Sequence, residues 1–316
     1  GDYNYRPKQD EPADFSDLVA ENEGINKLAA FRCDVDNLGS AFIKGFNDDY
    51  ATISRVTSLS RHLSIFFKFY INKICSGKIS GDTGQTVENF YLSDTKNKEK
   101  RIVIVYSGGD DVFVVGAWVD VINFAVDLRE AFKQYTCNKL TLSGGIGLFS
   151  PNYPINQIAS QSGNLEELAK KYDGDKKDAI ALFGLDDTSG ECRHIYHWYE
   201  FRDDVVSKVK ELYKICKFDD KDKSDKRVFF SKSMMYKFKQ LLEEREDGKL
   251  INVARFAYTL ARVVKKTDNE YKQKFKDNIY LWAINERKSL LTALELIIYL
   301  NMHQLMFHMH NLMNKI

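Results

Sequence analysis

The hydrophobic pattern of the chain changes at about two thirds of its length. Up to residue 197, short apolar stretches typical of strands alternate with stretches whose apolar residues recur every three or four positions, as on a helix. The strand-like stretches are 28–33, 87–92, 102–106, 112–115, 140–149 and 178–183, and the helix-like stretches are 40–46, 49–74, 119–135 and 156–172. The order is β-α-β-β-α-β with an additional edge element, which predicts the ferredoxin-like arrangement.

From residue 198 onward the chain contains no strand-like stretch. Amphipathic or apolar stretches at helical spacing occupy 205–216, 231–246, 250–265, 270–286 and 289–314, with a charged loop at 218–226. This pattern predicts a bundle of four or five helices. The predicted fold class is α+β, with a linker over 1–25, a ferredoxin-like domain over 26–197 and a helical bundle over 198–316.

Two glycines and two adjacent carboxylates lie between two of the predicted strands, in the run S-G-G-D-D at 107–111. Strands joined by a short turn containing glycine predict a hairpin. Asp110 and Asp111, beside Gly108 and Gly109, suit a divalent cation with a phosphate chain passing close to bare backbone. An ordinary polar turn stays open as the alternative, because Gly and Asp both favour turns.

A second acidic strand end favours the metal site. The first predicted strand runs into D-V-D-N-L-G at 34–39, where Asp34 and Asp36 share strand parity. Mg²⁺ usually takes few carboxylates together with substrate phosphates, and Asp36 is the weaker candidate ligand of the two. Acids from two neighbouring strand ends therefore predict a pair of metal ions that activate a hydroxyl and stabilise a leaving oxygen, which is nucleotidyl-transfer chemistry.

Composition adds a charge asymmetry and a cellular setting. Residues 1–196 carry 22 Lys and Arg against 28 Asp and Glu, a balance of −6, and residues 197–316 carry 24 against 17, a balance of +7. A basic second part suits RNA phosphate, although ordinary solvated surfaces explain the same balance. Five cysteines without a C-x-x-C pair favour a reducing cytoplasm, and the apolar stretch 290–300 is too short to span a membrane.

Four motifs taken together resemble one family. D-V-D-N-L-G, S-G-G-D-D, L-S-G-G-I-G and A-K-K-Y-D-G-D-K-K-D-A-I-A-L-F-G are similar to the second Palm domain of the large signature subunit of type III CRISPR effector complexes, the cyclic-oligoadenylate synthase. The resemblance covers nearly the whole chain, because the family has a helical domain after this Palm domain. The family also has an N-terminal HD nuclease domain and a zinc-binding segment, but this sequence contains no His-Asp dipeptide and no C-x-x-C. The resemblance therefore implies the C-terminal portion of a longer subunit.

The resemblance implies a role for each matching residue. Asp110 and Asp111 would be catalytic, and two Mg²⁺ or Mn²⁺ ions would be held by Asp34, the Val35 carbonyl, Asp110 and Asp111. The implied nucleotide-binding residues are Asn37, Gly39, Ser107, Gly108, Gly109, Ser143, Lys170 and Lys176. ATP is the implied substrate: the 3′-hydroxyl of one molecule attacks the α-phosphorus of the next, pyrophosphate leaves, and a last attack closes the ring.

The implied partners are those of the family. They are ATP, other subunits of the type III effector complex, the first Palm domain of the full-length subunit, and crRNA and target RNA through the complex. No membrane is expected, and the expected location is the cytoplasm. The implied biological role is antiviral defence.

Three alternatives stay open at this point. The diguanylate cyclases share the Palm fold and a related hairpin, but the position where they use Asn to read guanine is Phe42 here, so we expect adenine. A non-catalytic Palm scaffold is disfavoured because clustered carboxylates cost stability unless a cation compensates them. A template-directed polymerase would need a basic channel around the Palm, and this part of the chain is acidic.

Overall fold

A computed structural model of the 316-residue chain describes residues 1–6, 14–20, 24–45, 52–77, 90–92, 99–185, 190–216, 231–243, 251–263 and 270–301. The chain divides into two compact units, Gly1–Tyr199 and Glu200–Ile316. The first unit contains the sheet and the second is made of helices.

The first unit combines a six-stranded sheet with helices. Its elements in chain order are α1 (Phe15–Val19), β1 (Leu28–Val35), α2 (Leu38–Lys44), α3 (Ile53–Ile65), a π-helical turn (Phe66–Tyr70), α4 (Ile71–Cys75), β2 (Ile102–Gly108), β3 (Asp111–Ala117), α5 (Trp118–Tyr135), β4 (Leu142–Phe149), α6 (Ile155–Asp175), β5 (Ala179–Phe183), β6 (Ile195–His197) and the short α7 (Trp198–Glu200), which reaches the boundary. The backbone of α6 leaves helical geometry at Tyr172, close to the predicted end of that helix.

The strand order confirms the ferredoxin-like prediction. The sheet runs β2-β3-β1-β4-β5-β6, and β1 pairs antiparallel with β3 on one side and with β4 on the other. Strand β5 adds parallel to β4, and β6 then adds antiparallel to β5. The sequence did not predict β6, because three residues are too few to show an alternation.

Strand β1 is buried on both faces, which explains its nearly continuous apolar sequence. Phe31 packs edge-on against Phe124 of α5, with ring centroids 6.2 Å apart. On the other face, Leu28 and Ala30 pack in a cluster with Ile158 of α6. Strand β1 is thereby packed between α5 and α6, and the site residues lie at the end of this buried strand.

Glycine in β4 serves the approach of a helix. At Gly145 the neighbour is α6. A Cβ added to Gly145 would lie 2.4 Å from the Leu165 Cβ and 2.6 Å from the Glu166 nitrogen. The absence of a side chain at Gly145 therefore allows the middle of α6 to pack closely on the sheet.

The predicted helix over 49–74 is interrupted. Five residues, Phe66–Tyr70, form a π-helical turn between α3 and α4. The Phe67 carbonyl accepts a hydrogen bond of 2.6 Å from the Ser107 hydroxyl at the end of β2. A π-helical turn widens the helix by one residue and frees carbonyl groups for other partners, which a 3.6-residue pattern does not reveal.

Two other stretches differ from the predictions. The predicted linker over 1–25 contains α1, whose Leu18 and Val19 are buried, and an isolated bridge joins Asn4 to Val103 of β2. Of the predicted strand at 87–92, residues 87–89 lie outside the described residues, and 90–92 are not a strand. Instead the backbone N–H groups of Phe90 and Leu92 donate to polar side chains of α5.

The second unit consists of helices, as predicted. They are a π-helical turn (Phe201–Val205), α8 (Val206–Cys216), α9 (Lys232–Glu243), α10 (Ile251–Val263), α11 (Glu270–Asn285) and α12 (Arg287–Asn301). Helix α12 packs on α8 and α9, and Lys239 forms an ion pair with Glu295. The charged loop at 218–226 and the end of the helix predicted to residue 314 lie outside the described residues. None of the helices in the described part of the chain has the length and apolarity to cross a membrane.

Candidate active site

The ends of two central strands bring two predicted acids together. Asp34 of β1 lies directly opposite Asp111 of β3 in the antiparallel register. Residues paired in this way project to the same face of a sheet, so both carboxylates lie on the face that α6 covers. The hairpin turn is tied to the same place, because the Val35 N–H donates a 3.1 Å hydrogen bond to the Asp110 carbonyl.

The turn itself depends on Gly109. Its φ is +66°, in the left-handed region that residues with a side chain rarely adopt. Gly108 is in ordinary strand geometry, and a Cβ added there would meet only the Tyr106 ring, at 3.4 Å from its hydroxyl oxygen. Of the two glycines of the motif, Gly109 therefore sets the shape of the tip.

The three carboxylates crowd one another electrostatically. Burial, and after it the charges of Asp34 and Asp111, raise the pKa of Asp110. The nearby charge of Asp111 raises the pKa of the exposed Tyr106 phenol, which also hydrogen-bonds to that carboxylate. Asp34, Asp110 and Asp111 therefore form one cluster of negative charge, called the acidic corner below.

A lysine from α6 already contacts this corner. The Lys170 ammonium donates to Asp34 Oδ2 at 2.6 Å and to Glu166 Oε1 at 2.7 Å. Burial lowers the pKa of Lys170, but its bonds to Asp34 and Glu166 outweigh burial and raise it. The second oxygen of Glu166 pairs with Arg32 Nε at 3.1 Å. The sequence predicted Lys170 as a phosphate contact, but Glu166 and Arg32 were not singled out.

The charge balance of the corner suits a divalent cation. Within the described ranges, no basic side chain forms an ion pair with Asp110 or Asp111. Three or more His, Cys, Asp or Glu side chains do not converge into a ready-made metal cage anywhere in the described parts of the chain. Mg²⁺ rarely uses such a cage, since it takes one or two carboxylates and completes its shell with water and substrate phosphate. The excess negative charge beside open carboxylates therefore fits the predicted ion.

Asp36 does a different job from the other acids. It is only 2% exposed, and its Oδ2 accepts hydrogen bonds of 2.7 Å from the Thr141 hydroxyl and 3.0 Å from the Asp178 N–H. Burial raises the pKa of Asp36, opposed by these hydrogen bonds. The carboxylate joins the end of β1 to the residues that precede β4 and β5, so Asp36 is a structural clamp beside the site.

The loop between α6 and β5 separates its two lysines. Lys177 Nζ donates to Asn37 Oδ1 at 2.8 Å, next to the start of α2. Lys176 instead pairs with Asp173 on the exposed side of the loop, at 2.6 Å. The resemblance implied Lys176 as a nucleotide-binding residue. In the structure it is Lys177 that contacts Asn37, another of the implied nucleotide-binding residues. The K-K doublet was visible, but only the backbone decides which lysine turns inward.

Three remaining predicted nucleotide residues differ in accessibility. Ser107 is half-buried and donates to the Phe67 carbonyl. Ser143 is completely buried, and its hydroxyl oxygen accepts from the Ala179 N–H at 3.4 Å. Gly39 is the second residue of α2, and a Cβ added to it would meet nothing within 4 Å. Gly39 is thus exposed, whereas Ser143 is buried within the sheet.

A cavity of about 900 Å³ opens beside these residues, between the end of β1, α2, α3 and the C-terminal end of α5. Asp36, Asn37 and Lys44 line one side, and His62 and Tyr135 line the other. Its volume is within the range of small-molecule and cofactor sites. Of the segment that follows the acidic corner, Asp36 and Asn37 line the cavity, two and three residues after Asp34.

Comparison with known families gives two matches along the chain. Residues 27–181 match the profile described as Cas10/Cmr2, second palm domain. Residues 217–303 match the profile described as CRISPR RNA silencing complex Cmr2 subunit, second helical domain. The two matches follow the division into a sheet-containing unit and a helical unit.

Curated relatives and solved structures agree with these matches. A Streptococcus thermophilus protein named CRISPR system single-strand-specific deoxyribonuclease Cas10/Csm1 (subtype III-A) is 38% identical over 294 residues, which are 89% of this chain and 34% of the relative. The chain therefore spans about a third of the length of that relative. A crystal structure of a Csm1-Csm4 cassette in complex with cA4 has a TM-score of 0.65 at 25% identity, over 93% of this chain and 40% of that one. A cassette in complex with one ATP has a TM-score of 0.66 at 26% identity, over 92% and 39%.

Proposed function

Since this chain belongs to the Cas10 family of large subunits of type III CRISPR effector complexes, as its second palm domain and following helical domain, we propose that it joins ATP molecules into cyclic oligoadenylates. The observation that carries the proposal is the acidic corner. Asp34 and Asp111 face each other across two strands, Asp110 is tied beside them, and two of the three carboxylates have no basic partner in the described chain.

In the proposed reaction, Asp34, Asp110, Asp111 and the Val35 carbonyl would hold two Mg²⁺ or Mn²⁺ ions. When bound, such ions lower the pKa of a hydroxyl and neutralise charge on a leaving phosphate. A new bond forms between the 3′-oxygen of one ATP and the α-phosphorus of another, the bond between the α-phosphorus and the bridging oxygen breaks, pyrophosphate leaves, and the hydroxyl proton passes to solvent. The chain's own part is to fix the acids at the ends of rigid strands.

The remaining residues would bind and orient the nucleotide. Lys170 contacts the acidic corner and would neutralise triphosphate charge. Lys177 donates to Asn37, which lines the cavity. The bare backbone of Gly108 and Gly109 leaves room for the phosphate chain. The cavity next to Asn37 would take the base, and adenine is expected because no Asn stands at residue 42.

Support for adenosine nucleotides also comes from relatives, whose Csm1-Csm4 cassettes have been crystallised with ATP and with cA4. By the same likeness, we propose that the chain works with other subunits of a type III complex in antiviral defence, in the cytoplasm. A first Palm domain would supply the facing half of the site, and crRNA and target RNA would act through the complex.

A second candidate function is a non-catalytic scaffold. It is favoured by one observation, the Lys170 ammonium on Asp34 Oδ2, because a carboxylate satisfied by lysine has less need of a metal. The same contact is compatible with catalysis if Lys170 releases Asp34 when the ion and the triphosphate arrive.

The proposal is tested by incubating the chain with α-labelled ATP and Mg²⁺ or Mn²⁺ and identifying the products by mass spectrometry. We expect oligoadenylates from the wild type and a loss of at least about 100-fold in Asp110→Asn/Asp111→Asn, the usual scale for removing a catalytic charge. The chain offers a matched control, Asp203→Asn/Asp204→Asn, which changes another adjacent acidic pair that is exposed in the helical unit.

Metal-dependent ATP binding is measured in the same samples. Binding without product would place the catalytic partner in another domain, since this chain spans about a third of its relatives. If neither product nor metal-dependent binding is found, the proposed synthase function is wrong and the non-catalytic scaffold is the better explanation.

A further inference from the structure

Four alternating charges run from the sheet surface to the acidic corner. In order they are Arg32, Glu166, Lys170 and Asp34, joined by contacts of 3.1, 2.7 and 2.6 Å. Arg32 and Asp34 come from the same face of β1, and Glu166 and Lys170 come from consecutive turns of α6. Glu166 links Arg32 to Lys170, because each of its two oxygens binds a different cation.

Glu166 is held in place more firmly than its neighbours. It is only 6% exposed, and its backbone nitrogen would lie 2.6 Å from a Cβ added to Gly145 of β4. The Arg32 guanidinium lies over Gly163, where a Cβ would be 3.2 Å from Nη1. By contrast the adjacent Glu167 has a side chain that is 71% exposed and forms an ion pair with Lys171 at 3.7 Å. The Glu166 carboxylate is therefore a fixed acceptor, whereas Lys170 has a flexible four-carbon stem.

We propose that Glu166 is a positioning residue that takes over the Lys170 ammonium when Asp34 binds a divalent cation. This role rests on the proposed metal site. Lys170 holds Oδ2 of Asp34, so an ion on this carboxylate either displaces the ammonium from Oδ2 or is repelled by its charge from Oδ1. Glu166 already binds Lys170 at 2.7 Å, so the lysine loses one charged partner and keeps the other. It also stays beside the corner, where the triphosphate arrives.

The alternative without Glu166 is unfavourable for the metal. An amide at this position still accepts a hydrogen bond from the Lys170 ammonium, but it carries no negative charge, so the ion pair with Lys170 is lost. Lys170 would then depend on Asp34 alone, and Arg32 would lose the partner that now balances its charge two residues from Asp34. We expect Glu166→Gln to weaken Mn²⁺ binding by about tenfold, the scale of coupling between residues in one ion-pair network.

The test is a titration of the nucleotide-free chain with Mn²⁺, followed by electron paramagnetic resonance of the free ion. Glu167→Gln is the matched control, since it makes the same charge change one residue along α6, and it is expected to bind Mn²⁺ as the wild type does. Lys170→Met is expected to bind more tightly, because the competing ammonium is gone. In the Lys170→Met background, the loss caused by Glu166→Gln is expected to shrink to less than about twofold.

The outcomes separate the proposed role of Glu166 from a plain charge effect and from the absence of a metal site. Wild-type affinity in Glu166→Gln, or an equal loss in both backgrounds, would overturn the role, the second because it would show a plain charge effect independent of Lys170. If Asp110→Asn/Asp111→Asn leaves Mn²⁺ binding unchanged, the metal site itself is overturned, and this role with it. Should Glu166→Gln unfold at assay temperature, Glu166→Asp keeps the charge with a shorter reach, and a partial loss that Lys170→Met removes would support the same role.

Discussion

At the scale of single residues, the acids of the site were visible in the sequence and their partners were not. Asp110 and Asp111 stand out because two adjacent carboxylates follow two glycines between apolar runs, and Asp34 because it ends another apolar run. The choice between Lys176 and Lys177 was not accessible, because adjacent lysines are equivalent in sequence and are separated only by the loop backbone, where Lys177 has a φ of 61°. Glu166 was hidden for another reason, since a glutamate on a helix is ordinarily solvated.

The tip of the hairpin gives the sharpest test at this scale. Gly109→Ala forces a side chain into a left-handed residue, so we expect a loss of about 1 kcal/mol in the free energy of unfolding. Gly108→Ala introduces the same methyl group one residue earlier, at ordinary strand geometry, and is expected to cost less than about half of that. Urea unfolding of the two variants is the measurement. Equal losses would show that the turn does not need its left-handed residue.

At the scale of elements, periodicity predicted most helices and strands but neither their interruptions nor their closest approaches. The ferredoxin-like order followed from the alternation of strand and helix patterns, since each element buries one face against a neighbour. The π-helical turn Phe66–Tyr70 has the same apolar composition as the helices around it, and β6 is only three residues long. Both depend on tertiary partners that lie far away in the sequence.

The approach of α6 to β4 is testable at this scale. Gly145→Ala would place a methyl group 2.4 Å from the Leu165 Cβ, so α6 must move away from the sheet or the core must distort. We expect a destabilisation of about 2–3 kcal/mol, typical of overpacking in a core. The control is Gly39→Ala, whose added Cβ meets no atom within 4 Å.

Thermal unfolding of both variants measures the difference. Gly145→Ala is expected to lower the midpoint by several degrees, while Gly39→Ala keeps or raises it because Ala favours a helix over Gly. A Gly145→Ala protein as stable as the wild type would mean that α6 is not fixed by this contact.

At the scale of the whole molecule, charge separates the two parts of the chain. The balance is −6 for residues 1–196 and +7 for residues 197–316. In the helical unit, a groove of about 530 Å³ between α9 and α10 is lined by Lys237, Arg255 and Arg262 beside the exposed ring of Tyr258. Cations with an exposed aromatic ring are suited to a single RNA strand, the partner proposed through the complex.

This distribution predicts that single-stranded RNA binds the helical unit and not the acidic one. We expect binding of a single-stranded RNA oligonucleotide to weaken steeply with salt, and Lys237→Ala/Arg255→Ala to weaken it about tenfold at low salt by removing two phosphate contacts. Lys171→Ala removes an exposed lysine of the acidic unit and serves as the control. Fluorescence anisotropy measures both. An equal effect of the control variant would contradict a contact centred on the helical unit.

The π-helical turn between α3 and α4 also bears on how this chain is to be aligned with distant relatives. A turn of this kind holds one residue more than an α-helical turn, which is the geometry that a single-residue insertion into a helix produces. Removing that residue would rotate Ile71–Cys75 by about 100° relative to α3. The Phe67 carbonyl would then turn away from Ser107, and the end of β2 would lose its anchor. Relatives that keep a serine before their paired glycines are therefore expected to keep the extra residue as well, and a gap placed elsewhere in this helix would misalign the two.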